Sequence, residues 1–424
     1  MSNFTTDVYE TKREIMIFAN KLTQGLSKPN AKFVKNMIYG ISKNQSCHLT
    51  DIARSLDEKT KLINIVDRLS SQISAFSDDN LKILENNFYS IIKNCIPDEP
   101  VINLDNSEIV KRYAKSLENL DAVVDASSLK KADVQPGYHV CEASLVTKNE
   151  KQPLSIYSHI YSTKAAGFKS MNDETLKCIS AIKGFIDDRC TFVMDRGYDA
   201  DIFFNYFLKT IKNKDNFIIR LKGNRNILFK GKSKKVEEIA KTRKGKIRMS
   251  MYFKEKEKEA YVSHTRVELP KYKGIPLTLI LVYGLSEEKP MMLLTNKKVK
   301  EKEDVHNIVR QYMQRWRIEE GFRFKKQGYG FEKMLVRKIH NMNVINSLLM
   351  MHIGHLTLLT ESINKKLLVI KIVERSRSLK SKSYFWLYQI KEGISEILKF
   401  SQRGIEDYLH IRKQEPFKQL RLNI

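Results

Sequence analysis

Cysteine is scarce in this 424-residue chain, with five residues and no Cys-x-x-Cys pair. Cys47, Cys95, Cys141, Cys178 and Cys190 are odd in number and scattered, which argues against a disulfide framework and against a zinc site. Reduced thiols in a cytoplasmic protein are the expectation. Tryptophan is rarer still, at Trp316 and Trp386 only. Long apolar runs are missing. The most apolar stretch, residues 344–360, is broken by Asn346, His352, Gly354 and His355 and is too short and polar to span a bilayer. It reads as a buried or dimer-forming helix. The N-terminus, Met-Ser-Asn-Phe-Thr-Thr-Asp, lacks the apolar segment of a signal peptide. Neither internal repeats nor low-complexity segments occur.

Acid is also in short supply. The chain has 75 Lys+Arg against 49 Asp+Glu, a net charge of +26. Such an excess favours a polyanionic partner, with nucleic acid first and an anionic membrane surface second. The charge is uneven. Residues 1–100 are nearly neutral, residues 220–259 carry a net +10 and residues 297–338 a net +7. A basic excess gathered in two stretches is the footprint of a nucleic-acid binder. No basic amphipathic helix stands out, so a membrane role is the weaker reading.

Hydrophobic residues make up 42% of the chain, enough for two or three domains with real cores. Residues 1–100 read as a helical domain. Thr50 can cap a helix over Asp51–Leu56, and a second helix follows over residues 61–70. Joined near Asp57 and Glu58, the two resemble a helix-turn-helix that contacts DNA, although any helical bundle contains such pairs. From about residue 120 the period changes. Residues 121–125, 139–146 and 153–161 read as a three-strand meander. A helix over 172–185, a strand over 191–195, a helix over 200–211 and a strand over 216–221 follow, giving an α/β layout with helices on a sheet. Strands over 246–253, 259–267, 277–283 and 291–294 form a β-rich insertion, too long for a plain loop. A helix capped near Asp304 comes next, and the chain then reads helical to its end.

That helix carries Tyr312, Arg315, Glu319 and Lys326, spaced by 3, 4 and 7 residues. At about 100° per residue these offsets return to one side, so the four side chains form a single polar stripe. A solvated helix face with i,i+4 ion pairs gives the same spacing. Two carboxylates change the balance. Asp125 and Asp195 each follow an apolar strand run, where a buried carboxylate is costly unless paired or bound to metal. Sites in open α/β sheets gather at the carboxyl ends of strands. If the first and fourth strands, 121–125 and 191–195, are neighbours, the two carboxylates face each other. Hard oxygen ligands suit Mg²⁺ or Mn²⁺. With Glu319 as a third carboxylate, two metal ions could serve an in-line displacement at phosphorus. Asp125 and Asp195 also fit as turn formers. Asp121 lies at the wrong end of its strand, Asp199 reads as a helix cap, and Glu320 points away from the stripe.

Tyr312-x2-Arg315-x3-Glu319-x6-Lys326, Asp195-Arg-Gly-Tyr198 and the strand Met291-Met-Leu-Leu-Thr-Asn296 ahead of the helix resemble the DDE transposases of bacterial insertion sequences, in the branch known as insertion sequence family four. The resemblance covers about residues 115–340. It implies a ribonuclease-H-like catalytic domain over 115–340 with a β-rich insertion at about 222–296. A DNA-binding helical domain over 1–100 and a helical region over 341–424, a candidate for dimerisation, would flank it. It implies Asp125, Asp195 and Glu319 as catalytic ligands of two Mg²⁺ or Mn²⁺ ions. Tyr312, Arg315 and Lys326, joined by Arg323, Arg196, Lys222 and Arg225, would be DNA contacts. The implied partners are double-stranded DNA, as terminal inverted repeats and target, and a second copy of the chain, with no membrane. Some members stack a flipped base on a tryptophan in the insertion. This chain has none there, and Tyr252, Phe253, Tyr261 or Tyr272 could substitute. A nuclease of the same fold that does not join strands, and a non-catalytic DNA-binding descendant, are the alternatives.

Overall fold

The computed structural model describes residues 2–125, 128, 133–148, 152–209, 214–253, 256–285, 289–362, 365–377, 385–402 and 404–405. Five helices fill the N-terminal part: α1 (Ser2–Leu22), α2 (Lys28–Asn44), α3 (Leu49–Ser55), α4 (Leu62–Ala75) and α5 (Asp78–Ile92). Ser27 and Ser77 cap α2 and α5, their hydroxyls accepting from the backbone N–H of Asn30 and Asn80. Thr50 is not a cap. The α3 helix begins at Leu49 with His48 in the cap position, and Asp51 in its first turn accepts from the Ser46 hydroxyl at 2.8 Å. The α3–α4 pair forms, but Arg68, the one cation of α4, is gripped by both oxygens of Glu58 at 2.7 and 2.6 Å.

The sheet begins earlier than the sequence rhythm suggests. Strand β1 (Val101–Val110) precedes β2 (Asp121–Val124), β3 (Val134–Val146) and β4 (Pro153–Tyr161). Helix α6 (Met171–Lys183), β5 (Thr191–Met194), α7 (Asp201–Lys209) and β6 (Asn216–Arg220) follow. β1 pairs antiparallel with β3 and parallel with β5, β5 pairs parallel with β6, and β3 also pairs with β2 and β4. The order β4–β3–β1–β5–β6 is the ribonuclease-H-like arrangement, with β1 at its centre.

The β-rich segment is present. It holds β7 (Asn226–Phe229), β8 (Lys232–Lys235), helix α8 (Val236–Lys241), β9 (Ile247–Phe253), β10 (Lys256–Val267), β11 (Leu277–Tyr283) and β12 (Met291–Thr295). β12 pairs with β6, so β12, β11, β10 and β9 prolong the core sheet to ten strands. β7 and β8 stand apart as a two-stranded ribbon.

Strand alternation sends opposite residues to two helical layers. Ile102, Leu104, Phe192 and Phe217 pack toward Cys178, Ile179, Ile182 and Phe203 of α6 and α7. Val101, Val193 and Ile218 pack toward Val305, Ile308, Val309 and Tyr312 of α9 (Lys302–Met313). Asp304 is the third residue of α9 rather than its cap, and its carboxylate accepts from the backbone N–H of Lys300 and Glu301 at 2.8 and 3.1 Å. Helix α10 (Trp316–Tyr329) continues across β1, β3 and β4 and ends at Gly330, whose φ of 62° is a left-handed C-cap.

Helix α11 (Ile339–Glu361) is the one helix among the described residues long and apolar enough to cross a membrane, and 94% of its apolar window is buried inside the protein. It packs on β4 and on α2, α4 and α5. His352 sits between the Ser42 hydroxyl (3.3 Å) and the Tyr329 hydroxyl (3.0 Å). The stretch read as either buried or dimer-forming is thus a core helix of the monomer. Helices α12 (Lys366–Arg375) and α13 (Leu387–Leu398) close the molecule against α1 and α2. Residues 406–424 lie outside the described residues.

Candidate active site

Two buried strand runs lead into a carboxylate, one inside β1 and one at the end of β5. Val101-Ile-Asn-Leu104 leads into Asp105, and Thr191-Phe-Val-Met194 leads into Asp195, each over four buried residues. The strands are parallel neighbours with Val101 opposite Thr191 and Asn103 opposite Val193. Carrying that register two residues further sets Asp105 level with Asp195, on strands about 4.8 Å apart. Asp195 leaves its strand into a short 3₁₀ turn, and its Oδ1 accepts from the Gly197 N–H at 2.6 Å. Part of its role is therefore that of a turn former, as its sequence context allows.

Arg315 ties Asp105 to the helical layer. One guanidinium nitrogen lies 3.0 Å from Asp105 Oδ2, and the other hydrogen-bonds Glu319. Burial pushes the Asp105 carboxyl up to about 7. The charges of Asp195 and Glu319 push the same way, and Arg315 opposes them. Asp105 thus senses the charges of both Asp195 and Glu319, and the Glu319 side chain is 56% exposed.

Asp125 is elsewhere. Its strand β2 pairs with β3 alone and lies three strands from β5. Asp121 is level with Val110 through their common partner Gly137, so Asp125 sits nine residues beyond Asp105 along the strand direction. At about 3.3 Å per residue that is roughly 30 Å. Asp125 is buried and paired with Arg112 at 2.8 Å. The expected adjacency of the first and fourth strands fails because an unread strand, β1, occupies the place beside β5.

The helical stripe is also bent. Arg315, Arg317 and Ile318 donate backbone hydrogen bonds to the carbonyls of Tyr312, Gln314 and Arg315, three residues back. This tightened turn divides α9 from α10. Tyr312 falls on the buried side, 6% exposed, and burial pushes its phenol up while the charge of Arg315 opposes that. Lys326 is held by Glu108 at 2.9 Å and Glu332 at 3.4 Å. Arg323 is exposed and bonded to Glu320 at 2.7 Å, and Arg196 is exposed beside Asp195. Lys222 presents an exposed side chain while its backbone N–H donates to Asp199. Arg225 is locked to Asp199 at 2.8 Å and to Asp201 at 3.1 Å. Asp199 is correspondingly a buried ion-pair partner rather than a helix cap.

Of the aromatics proposed for base stacking, Tyr272 is buried with its hydroxyl donating to the Asp201 carbonyl, and Tyr261 is 43% exposed. The side chains of Tyr252 and Phe253 lie outside the described set.

Beside Asp105, directly across β3, is Glu142. It takes a hydrogen bond from Lys325 of α10, and both side chains are almost fully buried. The Ser158 hydroxyl joins Glu142 at 2.8 Å and Asn346 of α11 at 3.0 Å. A buried ammonium is tolerable only with such partners. The network pins α10 over the strands that carry Asp105. The sequence reading missed Asp105, Glu142 and Lys325. For Asp105 a signal existed, since its strand run ends in a carboxylate as the run before Asp195 does.

Residues 158–352 match the family described as the transposase DDE domain. The match runs from β4 into α11. It contains Asp195, Glu319 and the whole of α9 and α10, and it leaves β1 and Asp105 outside. No curated protein matches the chain. One solved structure, a piggyBac transposase synaptic complex with hairpin DNA, aligns over 95% of this chain and 82% of its own at 12% identity and a TM-score of 0.41. That likeness is too distant to carry an argument. The transposase DDE match therefore rests on the sequence of the core.

Proposed function

We propose that the chain is a DNA transposase that binds the terminal inverted repeats of a mobile element, cleaves their strands and joins them to a target. Asp105, Asp195 and Glu319 form its carboxylate triad, and Asp105 takes the place that the sequence reading gave to Asp125. The observation that carries this reading is the juxtaposition of Asp105 and Asp195 on neighbouring parallel strands, with Arg315 bridging Asp105 to Glu319.

The donor chemistry fits Mg²⁺ or Mn²⁺. Asp105 resists ionisation because it is half-buried and near like charges, and a divalent cation between it and Asp195 would relieve that cost. Among the described residues no three His, Cys, Asp or Glu side chains already cluster as a metal cage. Asp105 and Asp195 would hold the ion, and Glu319 would join by exchanging its bond to Arg315. Bound there, a divalent ion supplies an activated water or 3′-hydroxyl and stabilises a leaving oxygen. Arg315, freed in part from Glu319, can offer its fork of donors to a phosphate. Lys326, held by Glu108 and Glu332, supplies positive charge along the same helix, and two copies of the chain would pair the two DNA ends.

The test is cleavage and joining of DNA that carries the terminal repeats, in Mg²⁺, by Asp105→Asn and Asp125→Asn variants. Loss in the first alone supports the assignment. Equal activity of the two would remove Asp105 from the triad, and cleavage without joining would make the enzyme a nuclease.

A further inference from the structure

Four lysines of the basic stretch 220–259 lie on the ribbon formed by β7 and β8. Its turn is Lys230-Gly231, with φ of 51° and 76°. Positive φ at both positions marks the type I′ turn whose twist matches a two-residue hairpin. The root is firmly held. Ile227 and Val236 are fully buried, Leu228 exchanges two backbone hydrogen bonds with Glu268 at 2.7 and 3.0 Å, and the Val236 N–H donates to the Arg225 carbonyl at 3.0 Å. The outer strand is all exposed: Lys232, Ser233, Lys234 and Lys235. Lys230 at the tip is exposed too, above the ring of Phe229.

These four ammonium groups differ from their counterparts near the site. Lys325, Lys326, Arg315, Arg225 and Lys271 are each tied to a carboxylate. Lys230, Lys232, Lys234 and Lys235 have no carboxylate partner among the described residues. Glu237, close by in sequence, faces Lys289 at 3.9 Å. The ribbon also has a fixed relation to the carboxylates. Asp195 leads through its 3₁₀ turn to Asp199, which holds Lys222 and Arg225, and β7 begins at the next residue, Asn226. It therefore rises from the carboxyl end of β5 and β6, the end where Asp195 lies.

We propose that the β7–β8 ribbon is a phosphate-backbone grip for duplex DNA, through Lys230, Lys232, Lys234 and Lys235. This rests on the transposase reading and adds to it a contact surface outside the helical motif. Rigid presentation of unpaired cations lowers the ordering cost of binding a regular polyanion. No base edge need be read, so the grip is independent of sequence.

The experiment is fluorescence anisotropy of a labelled duplex of arbitrary sequence, titrated with full-length protein at a series of KCl concentrations in EDTA, so that cleavage cannot intervene. Each neutralised phosphate contributes about 0.9 to the slope of log K against log salt. The K230Q/K232Q/K234Q/K235Q variant should flatten that slope by about 3 and bind at least roughly tenfold more weakly. Its melting temperature should stay put, because the substituted groups are exposed and unpaired. A control variant, K82Q/K93Q/K169Q/K366Q, removes the same charge from exposed sites elsewhere and should change the slope much less. An unchanged slope in the ribbon variant, or equal flattening in the control, would overturn the ribbon while leaving the transposase reading intact. Absence of duplex binding by the unaltered chain would overturn both.

Discussion

Asp105 and Asp125 offer the same cue to a reader of the sequence and meet opposite fates in the fold. Each follows a short run of mostly apolar residues; Asp125 is buried and Asp105 half-buried. Asp105 ends up beside another carboxylate, on the central strand, under a helix that brings Glu319. Asp125 ends up beyond the end of β2, paired with Arg112. A buried carboxylate with its own cation is a structural pair. A half-buried carboxylate that shares a cation with a second acid and faces a third is poised for a stronger one.

The sharpest way to break this comparison is catalytic. Asp105→Asn should reduce end cleavage by a factor on the order of 10³ or more, as loss of a metal-binding or electrostatic group does elsewhere. Asp125→Asn should leave cleavage within a few-fold once folding is verified by circular dichroism. Similar losses in the two variants would end the distinction.

The next effect concerns the support beneath Asp105. Lys325→Ala leaves Glu142 buried without its cation, and such truncations cost about 3–5 kcal/mol. Urea denaturation should report that loss. A change below about 1 kcal/mol, the range of surface ion pairs, would show that the pair does not anchor α10.

The acid–base behaviour of Asp105 gives a third test. Its folded value, pushed up to about 7, lies above the ordinary value of 3.8. The folded state therefore holds this proton more tightly than the unfolded state. The stability it contributes is complete below about pH 4 and is lost as pH rises through 7. In EDTA, the wild type should lose on the order of 2 kcal/mol more than Asp105→Asn between pH 5 and pH 8. Parallel melting curves for the two proteins across that range would contradict the crowding of carboxylates at β1 and β5.

The smallest effect separates support from contact. Tyr312→Phe removes a buried hydroxyl near Arg315 and should cost no more than about 1 kcal/mol in thermal or urea unfolding. The salt dependence of DNA binding should be unchanged. A flatter salt slope would return Tyr312 to the role of a phosphate contact.

Much of the architecture was legible in residue patterns. The strand runs at 139–146, 153–161, 191–195 and 216–221, the helix at 172–185 and β9 to β12 of the insertion appear close to where alternation and helical spacing put them, whereas β7, β8 and α8 went unread. β1 was not legible. Asn103, Asp105, Asn106, Ser107 and Glu108 interrupt it with polar side chains that pack at the centre of the sheet and against the helical motif. A strand that carries chemistry is for that reason the one least like an apolar strand. The tightened turn at Gln314–Arg315 was also hidden, because its residues suit an uninterrupted helix and the bend comes from packing Tyr312 inward.

The sequence by itself determined the basic character of the chain, the α/β alternation, the helical motif and the carboxylate at Asp195. Those features live in composition and in spacing within one element, where each residue's neighbours are its neighbours in the chain. Only the tertiary structure decided which aspartate stands beside Asp195, which cations are spent on internal acids and which remain open. Strand order and register join residues 90 positions apart, and a local pattern carries no record of which strand will lie next to which.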